Sequence, residues 1–141
     1  YSFSVACREL PGGPLYFPAQ RVACTPLDSP EGPRLRVAGM MEFRAPDAAL
    51  DPRRIAAIVE ATRPLLVGAD LDERHDEWVG SRPCTADGLP LVGATTSPRV
   101  FVAGGHGMWG IALGPLTGKL LAQRIATGSA PPELVPFDPL R

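Results

Sequence analysis

The stretch Arg99–Thr127, R-V-F-V-A-G-G-H-G-M-W-G-I-A-L-G-P-L-T-G-K-L-L-A-Q-R-I-A-T, decides how the chain is read. It opens on Val100-Phe101-Val102-Ala103, a short apolar run bounded by Pro98 and Gly104, which predicts a buried strand. The turn Gly104-Gly105-His106-Gly107 follows, and then a long helical pattern. Within that pattern Gly110, Gly114, Gly118 and Ala122 recur at i, i+4 spacing and drift slowly along one helix face. Glycine costs a helix interior roughly 1 kcal/mol relative to alanine. Three on one stripe therefore point to a surface that comes very close to something flat. A strand, a glycine turn and a small-faced helix let backbone N–H groups and a helix N-terminus approach a cofactor. Spacing alone fits equally a strand–helix corner packed tightly on its neighbour.

Outward from this stretch, 141 residues are about one domain's worth and enough to bury a real core. A net charge of -1 implies no basic surface for nucleic acid. No apolar run approaches the ~20 residues that span a bilayer, and nothing resembles a signal peptide. Cys7, Cys24 and Cys84 are odd in number and scattered, which is neither a disulfide framework nor a metal-ligand spacing. A reducing, cytosolic setting is expected, with no metal. The chain starts at Tyr1 in mid-alternation, and no G-x-G-x-x-G follows an early strand, so a fragment is expected.

Taken in order, Tyr1 to Arg8 predicts a first strand and Pro11-Gly12-Gly13-Pro14 a turn. Leu15 to Leu27 is strand-like, with Pro18 marking an edge or a bulge. After the loop residues 28–33, the alternation from Leu35 to Arg44 places Leu35, Val37, Gly39, Met41 and Phe43 on one face. The segments 15–27 and 34–44 should pair as an antiparallel hairpin. Asp51 as N-cap and Pro52 at the first position open a helix over about 52–66, with Ile55, Ile58, Val59, Thr62, Leu65 and Leu66 inward. Pro64 is expected to kink its last turn, and Arg53, Arg54, Glu60 and Arg63 form a solvated face. Asp70 to His75 reads as a polar loop entering a strand near Trp78, and His75 as a surface histidine. Gly128 stops the last helix, and the tail 129–141 is expected to lie extended.

A second informative stretch is Val79–Gly93, V-G-S-R-P-C-T-A-D-G-L-P-L-V-G. Pro83 fixes the backbone after Arg82 and biases Arg82 to an extended conformation. The guanidinium is thus presented from a rigid platform, and its fork of donors suits a carboxylate. A structural ion pair with a nearby acid is the other reading of the same residue. Asp87-Gly88 marks a turn and Leu89–Gly93 a short return strand.

The segments Gly80–Gly93 (G-S-R-P-C-T-A-D-G-L-P-L-V-G) and Val100–Ala122 (V-F-V-A-G-G-H-G-M-W-G-I-A-L-G-P-L-T-G-K-L-L-A) resemble the carboxy-terminal part of the FAD-dependent D-amino-acid oxidase superfamily. The branch they look most like is that of D-amino-acid dehydrogenases and glycine oxidases. The ending P-P-E-L-V-P-F-D-P-L-R is also similar, and Tyr1-Ser2-Phe3 and V-A-G-M-M-E-F match more loosely. The resemblance implies an α+β fold. A mostly antiparallel substrate-domain sheet with two main helices would be joined to the last strand and helix of an incomplete Rossmann-like FAD domain. It assigns residues 1–93 to the substrate domain, 94–128 to the FAD domain and 129–141 to a tail.

What the resemblance implies for function is oxidation of an amine, a D-amino acid or glycine-like compound, by hydride transfer to FAD in the intact flavoprotein. Arg82 matches the position that pairs with the substrate carboxylate, and Met108 and Trp109 line the substrate pocket or pack in the core. Arg82, Pro83, Gly105, His106, Gly107, Met108, Trp109, Gly110 and Ile111 are the cofactor-side residues. No residue is assigned a catalytic role, because no Ser or Cys nucleophile accompanies His106 and hydride transfer needs no histidine base. The fragment alone is expected to be inactive and not to retain FAD, and to self-associate through exposed apolar faces once its N-terminal FAD-domain partner segments are missing. A cytoplasmic place, or a peripheral one on the inner face of a membrane, completes the expectation. A non-catalytic domain that acts only in association is the rival from another class. A phosphate loop at Gly104–Gly110 is a weaker third, since the P-loop Lys-Ser/Thr is missing.

Overall fold

A computed structural model describes residues 1–141, whose contacts divide them into two compact units, Tyr1–Gly80 and Ser81–Arg141. The protein is α+β and dominated by antiparallel sheet, as predicted. In the first unit β1 (Ser2–Cys7), β2 (Leu15–Phe17), β3 (Val22–Leu27), β4 (Arg34–Ala38) and β5 (Ala69–Trp78) form one sheet in the order β2-β3-β4-β1-β5. Side chains alternate across a strand, so register decides which residues share a face. Phe3 lies opposite Val37, Val5 opposite Leu35 and Cys24 opposite Val37, which builds one continuous apolar face. Helix α1 (Pro52–Thr62) contributes Ile55, Ile58 and Val59 to the same core. Asp51 caps it, accepting the Arg53 N–H at 3.0 Å, and Pro52 opens it.

Departures from the sequence expectations have local causes. The strand read over 15–27 is two strands, because residues 18–21 turn and Arg21 takes a left-handed φ of 55° that folds β2 back on β3. β4 ends at Ala38 rather than near 44. Gly39 hands its N–H to Tyr1 O, and a Cβ there would meet Val22 Cγ2 at 3.1 Å and Ile58 Cγ1 at 3.3 Å. Beyond it Met40 is left-handed, and Met41 and Phe43 are exposed instead of sharing the core face. α1 stops at Thr62 rather than 66, since Pro64 has no N–H to continue the ladder. Leu66 is still buried, whereas Leu65 is exposed. The polar residues 70–75 belong to β5. Two register shifts against β1 bulge this strand, so that Leu71 alone of residues 70–75 is buried and no alternation is visible in the sequence.

In the second unit β6 (Leu91–Ala94) and β7 (Phe101–Gly104) form an antiparallel hairpin followed by helix α2 (Gly110–Thr127). β7 is half-buried rather than buried, because its sheet has only two strands. Gly128 ends α2 with φ 75° and donates its N–H to Arg124 O at 3.0 Å. The tail winds into a 3-10 helix, Pro132–Phe137, instead of running extended, and it buries Leu134. Val92, Pro131 and Leu134 are the buried apolar side chains of this unit. No residue of α2 is buried, and a Cβ at Gly114 or Gly118 would meet nothing within 4 Å. The close approach expected of the glycine stripe is therefore not made within this chain. No helix is long and apolar enough to cross a membrane.

Candidate functional site

The segment that carries Arg82 and the glycine turn meet through their backbones. Pro83 has no N–H to give, but its carbonyl accepts the Gly107 N–H at 3.0 Å, and Cys84 bridges His106 in antiparallel fashion. Arg82 is exposed and enters no ion pair. The acid that could have claimed it, Asp87, is held by Arg141, whose Nε lies 2.8 Å from Asp87 Oδ2. Of the two readings left open for Arg82, the structural ion pair is not the one found.

The turn after β7 needs glycine at two positions. Gly105 and Gly107 have φ of 77° and 56°, a region that side-chain-bearing residues seldom enter. At Gly105 a Cβ would also stand 2.6 Å from Thr85 Cγ2. Trp109 N–H closes the turn on His106 O at 2.9 Å, and His106 Nε2 sits 3.0 Å from Thr117 Oγ1 of α2, tying the turn to its helix. α2 then starts at Gly110 with no side-chain cap. The N–H groups of its first turn, and the positive end of its dipole, are left for an external acceptor. Met108, Trp109 and Ile111 are exposed, Ile111 at 97 %, so none of them packs in a core of this chain. What this edge suits chemically is a flat group rich in acceptor atoms, with an anion beside it for the guanidinium. No group of three or more His, Cys, Asp or Glu converges anywhere in the chain.

Other residues of the site escaped sequence reading. Asp87 was legible as a turn residue only. Its carboxylate also accepts the Leu89 N–H at 3.0 Å and faces the Thr85 hydroxyl at 2.9 Å. The Arg141 hydrogen bonds, then these two, hold it far below the usual carboxylate range. A Thr-x-Asp-Gly run signals such a turn, whereas nothing local announces a partner 54 residues away. Gly105, Gly107 and Gly110 also have the spacing of a dinucleotide fingerprint. However, β7 pairs antiparallel with β6 and no parallel strand follows α2, so the βαβ crossover that gives that motif its meaning is not here. The buried Cys24 thiol is pushed up to about 11 by desolvation, with Cys7 adding to it, and is inert packing.

Comparison with known proteins adds independent findings. The profile of the family described as DAO, FAD dependent oxidoreductase, matches residues 6–124. The chain is 37% identical over 105 residues to the D-amino acid dehydrogenase of Xylella fastidiosa strain M12, an alignment covering 74% of this chain and 23% of that protein. The strain M23 protein of the same name is 36% identical over 105 residues. Among solved structures, the crystal structure of glycine oxidase from Geobacillus kaustophilus superposes with a TM-score of 0.66 at 26% identity, over 97% of this chain and 36% of that one. The chain thus spans about a quarter of the length of the curated relatives it matches.

Proposed function

The chain belongs to the DAO family of FAD-dependent oxidoreductases, and from that premise we propose that it supplies the substrate-carboxylate clamp and part of the flavin edge of an enzyme that oxidises a D-amino acid or glycine-like amine. The observation that carries this reading is the hydrogen bond from Gly107 N–H to Pro83 O, beside an Arg82 that no carboxylate neutralises. It places the arginine platform directly against the glycine turn. FAD, when bound, supplies the electron sink that accepts a hydride from the α-carbon. The residues that would hold it are Gly105 to Ile111, with Arg82 and Pro83 beside them. The fit rests on the left-handed glycines and the uncapped start of α2, which offer N–H groups and positive partial charge where the reduced cofactor becomes more negative.

Arg82 in this reading grips the substrate carboxylate with two parallel hydrogen bonds and so orients the α-C–H. Met108 and Trp109, exposed on the same turn, wall the substrate space. His106 acts through position: its Nε2 lies 3.0 Å from Thr117 Oγ1 and so ties the turn to α2. Residues 94–128 stand for the last strand and helix of a Rossmann-like FAD domain, residues 1–93 for part of the substrate domain and residues 129–141 for a tail. With no early glycine fingerprint in the chain, the isolated 141 residues are expected to purify colourless and inactive.

The test uses the FAD-loaded, full-length protein. Losing two charge-assisted hydrogen bonds of about 1.5–3 kcal/mol each predicts that Arg82→Ala raises KM for a D-amino acid by at least roughly 100-fold. The same change should leave KM for the matching amine without a carboxylate nearly unmoved. Equal effects on both substrates would remove Arg82 from this role.

A further inference from the structure

The proposed chemistry does not use the hydrogen-bond network built around Arg141. Arg141 spends all five N–H donors of its guanidinium there. Nε reaches Asp87 Oδ2 at 2.8 Å. Nη2 reaches Asp87 Oδ1 and Leu89 O, both at 2.9 Å. Nη1 reaches Pro90 O at 3.2 Å and Asp138 O at 3.1 Å. The contacts continue inward from Asp87. Thr85 Oγ1 lies 2.9 Å from Asp87 Oδ1 and 2.6 Å from Leu89 O, which orients the threonine. Its methyl group then fills the space beside Gly105 where a Cβ would stand.

We infer that Arg141 is a positioning residue, a tether that fixes the turn at Thr85–Pro90 and through it the seat of Arg82 and the glycine turn. The chain of contacts runs Arg141, Asp87, Thr85, Gly105, with Pro83 O and Gly107 N–H closing it on the other side. A planar fork that bonds a carboxylate and three carbonyls at once has no equivalent in lysine, whose ammonium is a single point with three donors. The tether itself stands on geometry, while its consequence for substrate rests on the functional reading above.

Two measurements on the full chain test it. Amide hydrogen exchange of Gly107 and Leu89 should quicken about tenfold or more in Arg141→Ala and nearly as much in Arg141→Lys, while Phe3 and Val37 keep their wild-type rates. In the FAD-loaded protein, Arg141→Lys should raise KM for a carboxylate-bearing amine several-fold. It should leave kcat, and KM for the carboxylate-free amine, close to wild type. Unchanged exchange at Gly107 in both variants overturns the tether whatever the protein oxidises. Quickened exchange with both KM values moving together overturns the positioning of Arg82. Quickened exchange in a protein whose wild type oxidises no amine supports the tether and defeats the functional reading alone.

Discussion

Gly105 shows how one residue can be fixed twice. Its φ of 77° strains any side chain, and the Thr85 methyl occupies the place of a Cβ at 2.6 Å. The two penalties are separable, because Thr85→Ser removes the methyl and keeps the hydroxyl near Asp87 and Leu89. Gly105→Ala alone should cost about 2–3 kcal/mol, backbone strain and overpacking together. In a Thr85→Ser background the same change should cost only about 1 kcal/mol, the strain that remains. Denaturant midpoints of the four proteins read the coupling directly. Equal costs in both backgrounds would mean that Thr85 relaxes away and does not shape the turn. Arg82 presents the opposite case. The following proline marks it as a candidate in the sequence, but that it has no acid partner was not legible, since that depends on where Arg141 lies.

Elements whose boundaries are set by local chemistry were read well, and those set by long-range pairing were not. The start of α1 is written in Asp51-Pro52 and the end of α2 in Gly128, and both stand where they were expected. β5 was obscured because bulges destroy its alternation, and β4 was overextended because the left-handed Met40, not a change of pattern, takes the chain out of the sheet. The α1 cap makes a test. Arg53, through its side chain and then its backbone N–H, pulls the Asp51 carboxyl down to about 2 from 3.8. A carboxyl depressed in the folded state contributes stability that is complete above its unfolded value. That contribution is lost as pH falls from about 4 toward about 2. Asp51→Asn keeps a capping oxygen but cannot titrate. Wild type should therefore be the more stable at pH 6, and the gap should shrink steeply by pH 2. Glu42, lowered chiefly by the Tyr1 hydroxyl, and Asp72, lowered chiefly by Arg63, will leave a common acid slope in both. No gap at pH 6 would show that the charge contributes nothing and the cap oxygen everything, and a gap undiminished at pH 2 would place the difference outside the titrating charge.

At the scale of the molecule the two units are built on unequal foundations. The first buries a contiguous cluster, from Phe3 and Val5 on the sheet to Ile55, Ile58 and Val59 on α1, and each such side chain contributes about 1.5–3 kcal/mol. The second buries Val92, Pro131 and Leu134 and no part of α2, while Ile111, Leu116 and Ile125 stay exposed. Its helix also carries three glycines and Pro115, which removes an interior N–H and crowds the preceding turn. What holds the second unit is largely polar, namely the Arg141 fork, the Asp87 turn and the Gly107–Pro83 bond. Hydrogen bonds contribute only about 1 kcal/mol each after exchange with water. Local opening should then be far easier in residues 81–141 than in residues 1–80. Native-state hydrogen exchange should find protection in β1 and β4 at least a hundredfold above that in α2, and urea should unfold the protein in two steps, the second unit first. Under the proposed function α2 borders FAD, and the stripe of Gly110, Gly114 and Gly118 is the face left for it. Protection of α2 should accordingly rise when FAD is bound in the full-length protein. A single transition with α2 as protected as β1 would contradict this account, for it would mean that these residues are already complete without what the family reading says they await.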